Sequence, residues 1–144
     1  ACQDRHKTPG ELLADNVHRC AEILREVNPK AQVLVWSDMF DPHHNAVDHY
    51  YLVNGSLRGS WEGLKPEVVI ANWNSGQAAA SLKWFADRGH RQLIAGYYDD
   101  GTDNLRHWNQ AARGVPKITG FMYTTWQHRY GDLAAYGRAL GGGK

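Results

Sequence analysis

A chain of 144 residues is long enough for one domain with one core, and residues 1–144 are read here as a single unit. A formal net charge of +1, with both signs mixed along the chain, argues against an electrostatic nucleic-acid binder, which needs a basic patch to displace counterions from phosphates. No apolar run approaches the ~18 residues of a membrane span, and the opening ACQDRHKTPG is charged from its start, with no apolar leader core.

Thr8-Pro9-Gly10-Glu11 predicts a helix start, with Thr8 as cap, Pro9 in the first turn and Glu11 closing a capping box. Leu12, Leu13, Val17, Cys20, Ile23, Leu24 and Val27 continue at helical spacing until Asn28-Pro29 stops the run. Cys20 lies on that stripe and is expected to be a buried thiol. Neither it nor Cys2 has the spacing of a zinc ligand. Four apolar segments follow: Gln32–Trp36, Val68–Trp73, Gln92–Tyr97 and Ile118–Trp126. The first three are nearly continuous in apolar residues, the mark of strands covered on both faces in a parallel sheet. Between and after them, helices are expected over Asn45–Val53, over Gln77–Arg88 with Ser75 as cap and Gly89 as terminator, over Asp103–Arg113 and over Asp132–Leu140. A long loop runs from Asn54 to Pro66, and the closing 141–144 segment, GGGK, reads as a loose tail.

One helix followed by four βα units predicts an α/β fold with a parallel sheet and right-handed crossovers. No Gly-x-Gly-x-x-Gly or phosphate loop follows a strand, which argues against a nucleotide-binding domain. The residues suited to chemistry gather at the C-terminal strand ends: Trp36 and Asp38, Trp73 and Asn74, Tyr97 to Asp100, Trp126 and His128. That placement describes one half of a (β/α)8 barrel, whose sites are built at this face. A four-strand half leaves two open edges and an apolar inner face. Completion by a second copy around a two-fold axis is expected, the alternative being an open sheet covered by its own helices.

The stretch VLVWSDMFDP sets an indole beside a carboxylate, a pairing that suits a polar ligand with an apolar face. His43-His44 with His49 does not predict a metal site, because adjacent side chains do not converge on one ion; no metal or cofactor is expected. Trp61-Glu62 lies in the long loop, either over the pocket mouth or packing the loop down, whereas Trp84 and Trp108 fall within helices and read as packing residues.

In order, VLVWSDMF, VVIANWN, LIAGYYDD and ITGFMYTTW resemble strands five to eight of the catalytic barrel of family 20 glycoside hydrolases, the β-N-acetylhexosaminidases and their relatives. The resemblance spans essentially the whole chain. It implies that Trp36, Trp73 and Trp126 wall a pocket for the sugar's N-acetyl group. It also implies that a tyrosine hydrogen-bonds the acetamido oxygen and an aspartate two places on contacts the sugar. Tyr97 with Asp99 and Tyr98 with Asp100 fit that spacing equally. The family's Trp-x-Glu after strand eight is here Trp126-Gln127-His128, so the glutamate contact is altered, with His128 in its place. The family's catalytic Asp-Glu pair follows strand four, and no counterpart stands in this chain. Without that acid the leaving group lacks proton-transfer assistance worth ~10²–10⁴-fold. The resemblance thus implies a sugar pocket without turnover in the isolated chain. The alternatives are a non-catalytic, self-associating domain with an aromatic small-ligand pocket, and a different barrel enzyme using Asp38, Asp99 or Asp100 as acid and base.

Overall fold

The computed structural model of the chain describes residues 6–141. Helix α1 (Pro9–Val27) is followed by strands β1 (Leu34–Trp36) and β2 (Val69–Asn72), helix α2 (Ala78–Asp87) and strand β3 (Gln92–Ile94). Helix α3 (Asn104–Ala111), strand β4 (Ile118–Phe121) and helix α4 (Leu133–Gly141) complete it. All three strand pairs are parallel, in the order β1-β2-β3-β4, so the sheet has the α/β, all-parallel character expected of it. Among the described residues no helix is long and apolar enough to cross a membrane. Cys2 and the tail beyond Gly141 lie outside the described residues.

The capping box forms as its residues dictate. Thr8 Oγ1 accepts from the Glu11 N–H at 3.2 Å, and the Glu11 carboxylate accepts from the Thr8 N–H at 2.7 Å. Four expectations fail, one being the cover of β1 on both faces, since Leu34 and Trp36 are exposed. Asn45–Val53 is a run of turns rather than a helix, since the Asp38 carbonyl takes the Asn45 N–H and the Asp41 carbonyl takes those of His44 and Ala46. The β1–β2 crossover therefore consists of turns and short 3-10 segments, Asp38–Phe40 and Ser60–Gly63. Cys20 is exposed, because α1 turns Ala14, Val17 and Ala21 inward and leaves the Cys20 side of the stripe uncovered. Ser75 opens a 3-10 turn, Ser75–Gln77, and makes no side-chain cap. Gly89 does close α2, at φ 81°.

The main core lies between the sheet and its outer layer: Val17, Phe40, Leu64, Val68, Ile70 and Phe85 form one cluster, and Ala78, Leu82, Ile94 and Trp108 the next. Trp84 packs on the first, and Trp61 stacks edge-on against it with ring centres 5.3 Å apart. Trp61 thus packs its loop onto α2 instead of reaching over the strand ends. The close approach of α1 to the Ser60–Gly63 turn needs a glycine: a Cβ on Gly63 would stand 2.1 Å from the Ala14 carbonyl oxygen.

The opposite face of the sheet is less covered. Leu34 and Trp36 pair in register with Val69 and Ala71, and are 43% and 39% exposed on the edge strand. Among the described residues, no strand pairs with the outer side of β1. Its Val33 carbonyl and the Ser37 N–H bond to β2, so the backbone groups of Leu34 and Trp36 between them face away from the sheet.

Candidate functional site

Because the strands are parallel, their C-terminal ends share one rim. Trp73 follows β2 directly, Tyr97 extends β3 and bridges to Thr124 beyond β4, and Trp126 follows two residues later. These three rings, with His44, Asn74 and Ser75, line a cleft of about 550 Å³. His44 meets Trp73 edge-on at 4.8 Å between ring centres. The Asn74 amide donates to the His43 carbonyl at 3.1 Å, tying the β2 end to the turn after β1. Flat rings with an amide, a hydroxyl and an imidazole suit a ligand that is apolar on its faces and polar at its edge.

The other candidates fall elsewhere. Trp36 stands on the free edge and does not line the cleft. Asp38 turns to Asn45, whose Nδ2 donates to its carboxylate at 3.4 Å, and is likewise outside the lining. Tyr98 is fully buried, stacked on Tyr123 at 5.2 Å and edge-on to Tyr136 at 4.7 Å. Successive residues of an extended chain face opposite ways, so Tyr97 takes the cleft and Tyr98 the core. Burial, with Tyr136 and Tyr123 beside it, pushes the Tyr98 phenol far up, and it stays protonated. Asp100 is exposed, facing Arg129 at 3.7 Å. His128 is exposed, in the left-handed region at φ 57°, with its ring 6.4 Å from Tyr130.

Asp99 sits behind the rim. Its Oδ1 accepts the Thr125 hydroxyl, and its Oδ2 accepts the Trp126 N–H at 2.7 Å and the Gln127 N–H at 3.0 Å. The Tyr97 phenol, raised by burial and by the Asp99 charge, remains protonated and accepts from Gln127 Nε2 at 3.2 Å.

His44 and Ser75 line the cleft, although the sequence suggested only a polar loop for the first and a helix cap for the second; the signal for the cleft was adjacency, His44 to the turn at Pro42 and Ser75 to Trp73-Asn74. Among the described residues no three His, Cys, Asp or Glu side chains gather to hold a metal ion. A larger groove of about 960 Å³ runs between α1 and the Ser56–Gly63 segment, away from the strand ends. Its lysine and arginines are taken up in ion pairs, as in Lys7–Asp15 at 2.5 Å and Arg58–Asp48 at 3.1 Å.

Comparison with models of protein families, with curated proteins and with solved structures yields no match.

Proposed function

We propose that the chain is the sugar-binding half of a (β/α)8 barrel of the family 20 glycoside hydrolase type, and that it takes an N-acetylhexosamine without cleaving it. The observation that carries this reading is the meeting of Trp73, Tyr97 and Trp126, from three successive strand ends, in one cleft. An indole face covers the C–H groups of a pyranose, while Asn74 and Tyr97 supply a donor and a hydroxyl for its polar edge. The non-catalytic part of the reading rests on the chemistry of the lining. Among the described residues no carboxylate lines the cleft, so none of them stands ready there to protonate a leaving oxygen.

Titration with N-acetylglucosamine, followed by tryptophan fluorescence, tests the ligand. A saturable change in the millimolar range, lost in Trp126→Ala, is expected; a flat response to the sugar would defeat the reading. A chromogenic N-acetylhexosaminide should remain intact, and turnover that survives repurification would refute the non-catalytic part.

The free β1 edge and the exposed Leu34 and Trp36 favour a second property, self-association. Two copies related by a two-fold axis would pair β1 with β4 twice and close eight parallel strands. Light scattering decides it: twice the chain mass is expected at micromolar concentration, and a stable monomer there would rule the pairing out.

A further inference from the structure

We propose that Asp99 serves the cleft as a positioning residue, seating Trp126 through the Thr125–Arg129 loop instead of touching the ligand. This rests on the reading of the cleft as the ligand site. Asp99 is 4% exposed, and both of its carboxylate oxygens are engaged by Thr125, Trp126 and Gln127. The loop closes on the same residue from its far end. Arg129 Nη1 donates to the Asp99 carbonyl at 2.9 Å, and the Arg129 N–H donates to Thr125 Oγ1 at 2.9 Å. The Tyr123 hydroxyl adds a bond to the Arg129 carbonyl at 2.8 Å.

Trp126 itself is 67% exposed, so little side-chain packing fixes it. Its place follows from its backbone, and its N–H is held by Asp99. An anionic acceptor suits this role because it meets three donors at once, which an amide oxygen does less well. Burial alone would raise the Asp99 carboxyl, but the Thr125, Trp126 and Gln127 donors, with the Tyr97 phenol beside them, outweigh it and hold the group at about 2. The clasp is therefore charged throughout the neutral range. With Asp99 spent on the loop, direct recognition falls to His44, Asn74, Ser75 and Tyr97.

Two measurements on the whole chain test this. Hydrogen exchange reads the clasp without any ligand. The Trp126 and Gln127 amides should exchange roughly tenfold to a hundredfold faster in Asp99→Asn, while the β2 and β3 amides keep their protection. Unchanged exchange at Trp126 would overturn the proposal. Should Asp99→Asn lose its core protection too, Thr125→Val removes the donor to Asp99 Oδ1 together with the acceptor of the Arg129 N–H. Faster exchange at Trp126 and Gln127, and not at Arg129 alone, would then support the clasp, and its absence there would refute it. Titration with N-acetylglucosamine separates positioning from contact. Asp99→Asn and Trp126→Ala should weaken binding alike, and the double variant no further than either. Additive losses would assign Asp99 a contact of its own and sink the proposal. If the unmodified chain binds no N-acetylglucosamine, the proposed ligand fails, while the exchange experiment still judges the clasp.

Discussion

Asn72 Nδ2 donates to Gln92 Oε1 at 2.7 Å, joining β2 to β3 through two side chains that are both fully buried. Gln92 Nε2 then donates to the Leu82 carbonyl at 2.9 Å, so the same amide links the sheet to α2. A polar bridge in this layer sets the register of the strands that carry Trp73 and Tyr97. Its removal from one side leaves buried groups unpaired. Gln92→Leu should lower unfolding stability by about 1–3 kcal/mol in urea titrations. The double variant Asn72→Leu, Gln92→Leu should lose less than the sum of the two single changes, because neither amide is then stranded. Simple additivity would mean that the bridge contributes nothing of its own.

Gly63 allows α1 to lie against the β1–β2 crossover. A methyl there meets the Ala14 carbonyl oxygen at 2.1 Å and the carbon of the same group at 2.6 Å, both backbone atoms of a helix. Neither can rotate away. Gly63→Ala should therefore cost about 1–3 kcal/mol, with α1 losing amide protection first. Gly131 supplies the control: a Cβ there meets nothing within 4 Å, so Gly131→Ala should be neutral or slightly stabilising. Equal effects of the two changes in thermal unfolding would contradict the close approach.

Some of this architecture was readable in residue types. Thr8 and Glu11 announce their helix through chemistry local to one turn, and the runs around Val69 and Leu93 announce buried parallel strands. The Asn45–Val53 segment misled because Tyr51 and Leu52 resemble an apolar face, yet they are 83% and 65% exposed. Tyr97 and Tyr98 could not be told apart because alternation fixes that neighbours differ, not which one faces in. The role of Asp99 lay beyond reach for another reason: its partners are 26 to 28 residues away, a relation that only the fold creates. For the same cause Trp36 resembled Trp73, though one sits on an open edge and the other in a cleft.

His90 gives the fold a pH dependence. It is 2% exposed two residues before β3, with Nδ1 3.1 Å from the Val68 carbonyl and its ring edge-on to Phe85. Burial lowers its pKa, with Arg88 and Lys117 acting the same way, while the Val68 carbonyl and Glu67 oppose. A lowered value means that the unfolded chain binds the proton more readily than the folded one. The stabilising contribution is then complete above the ordinary histidine value of ~6.5 and drains away as pH falls through the depressed folded value. Urea midpoints at pH 7.5 and pH 5.5 should differ in the native sequence, and His90→Gln should narrow the difference. An unaltered gap in that variant would place the acid sensitivity in other groups.

The exposed edge offers the sharpest perturbation of self-association. Leu34 pairs with Val69 on the less covered face, and its backbone groups point away from β2. A lysine at this position keeps the β1–β2 ladder, since Val33 and Ser37 make those bonds, and places a solvated charge on the strand that a second copy would have to cover. Leu34→Lys should therefore leave the unfolding midpoint of dilute protein within ~0.5 kcal/mol of the native value while abolishing any species of twice the chain mass. Val35→Lys is the opposite case. Val35 packs against the buried cluster beneath α1, so a charge there should unfold the chain at any concentration. A Leu34→Lys protein that still pairs would move the interface away from β1. The exposed Ile23, Leu24 and Val27 of α1 would then be the surface to alter next.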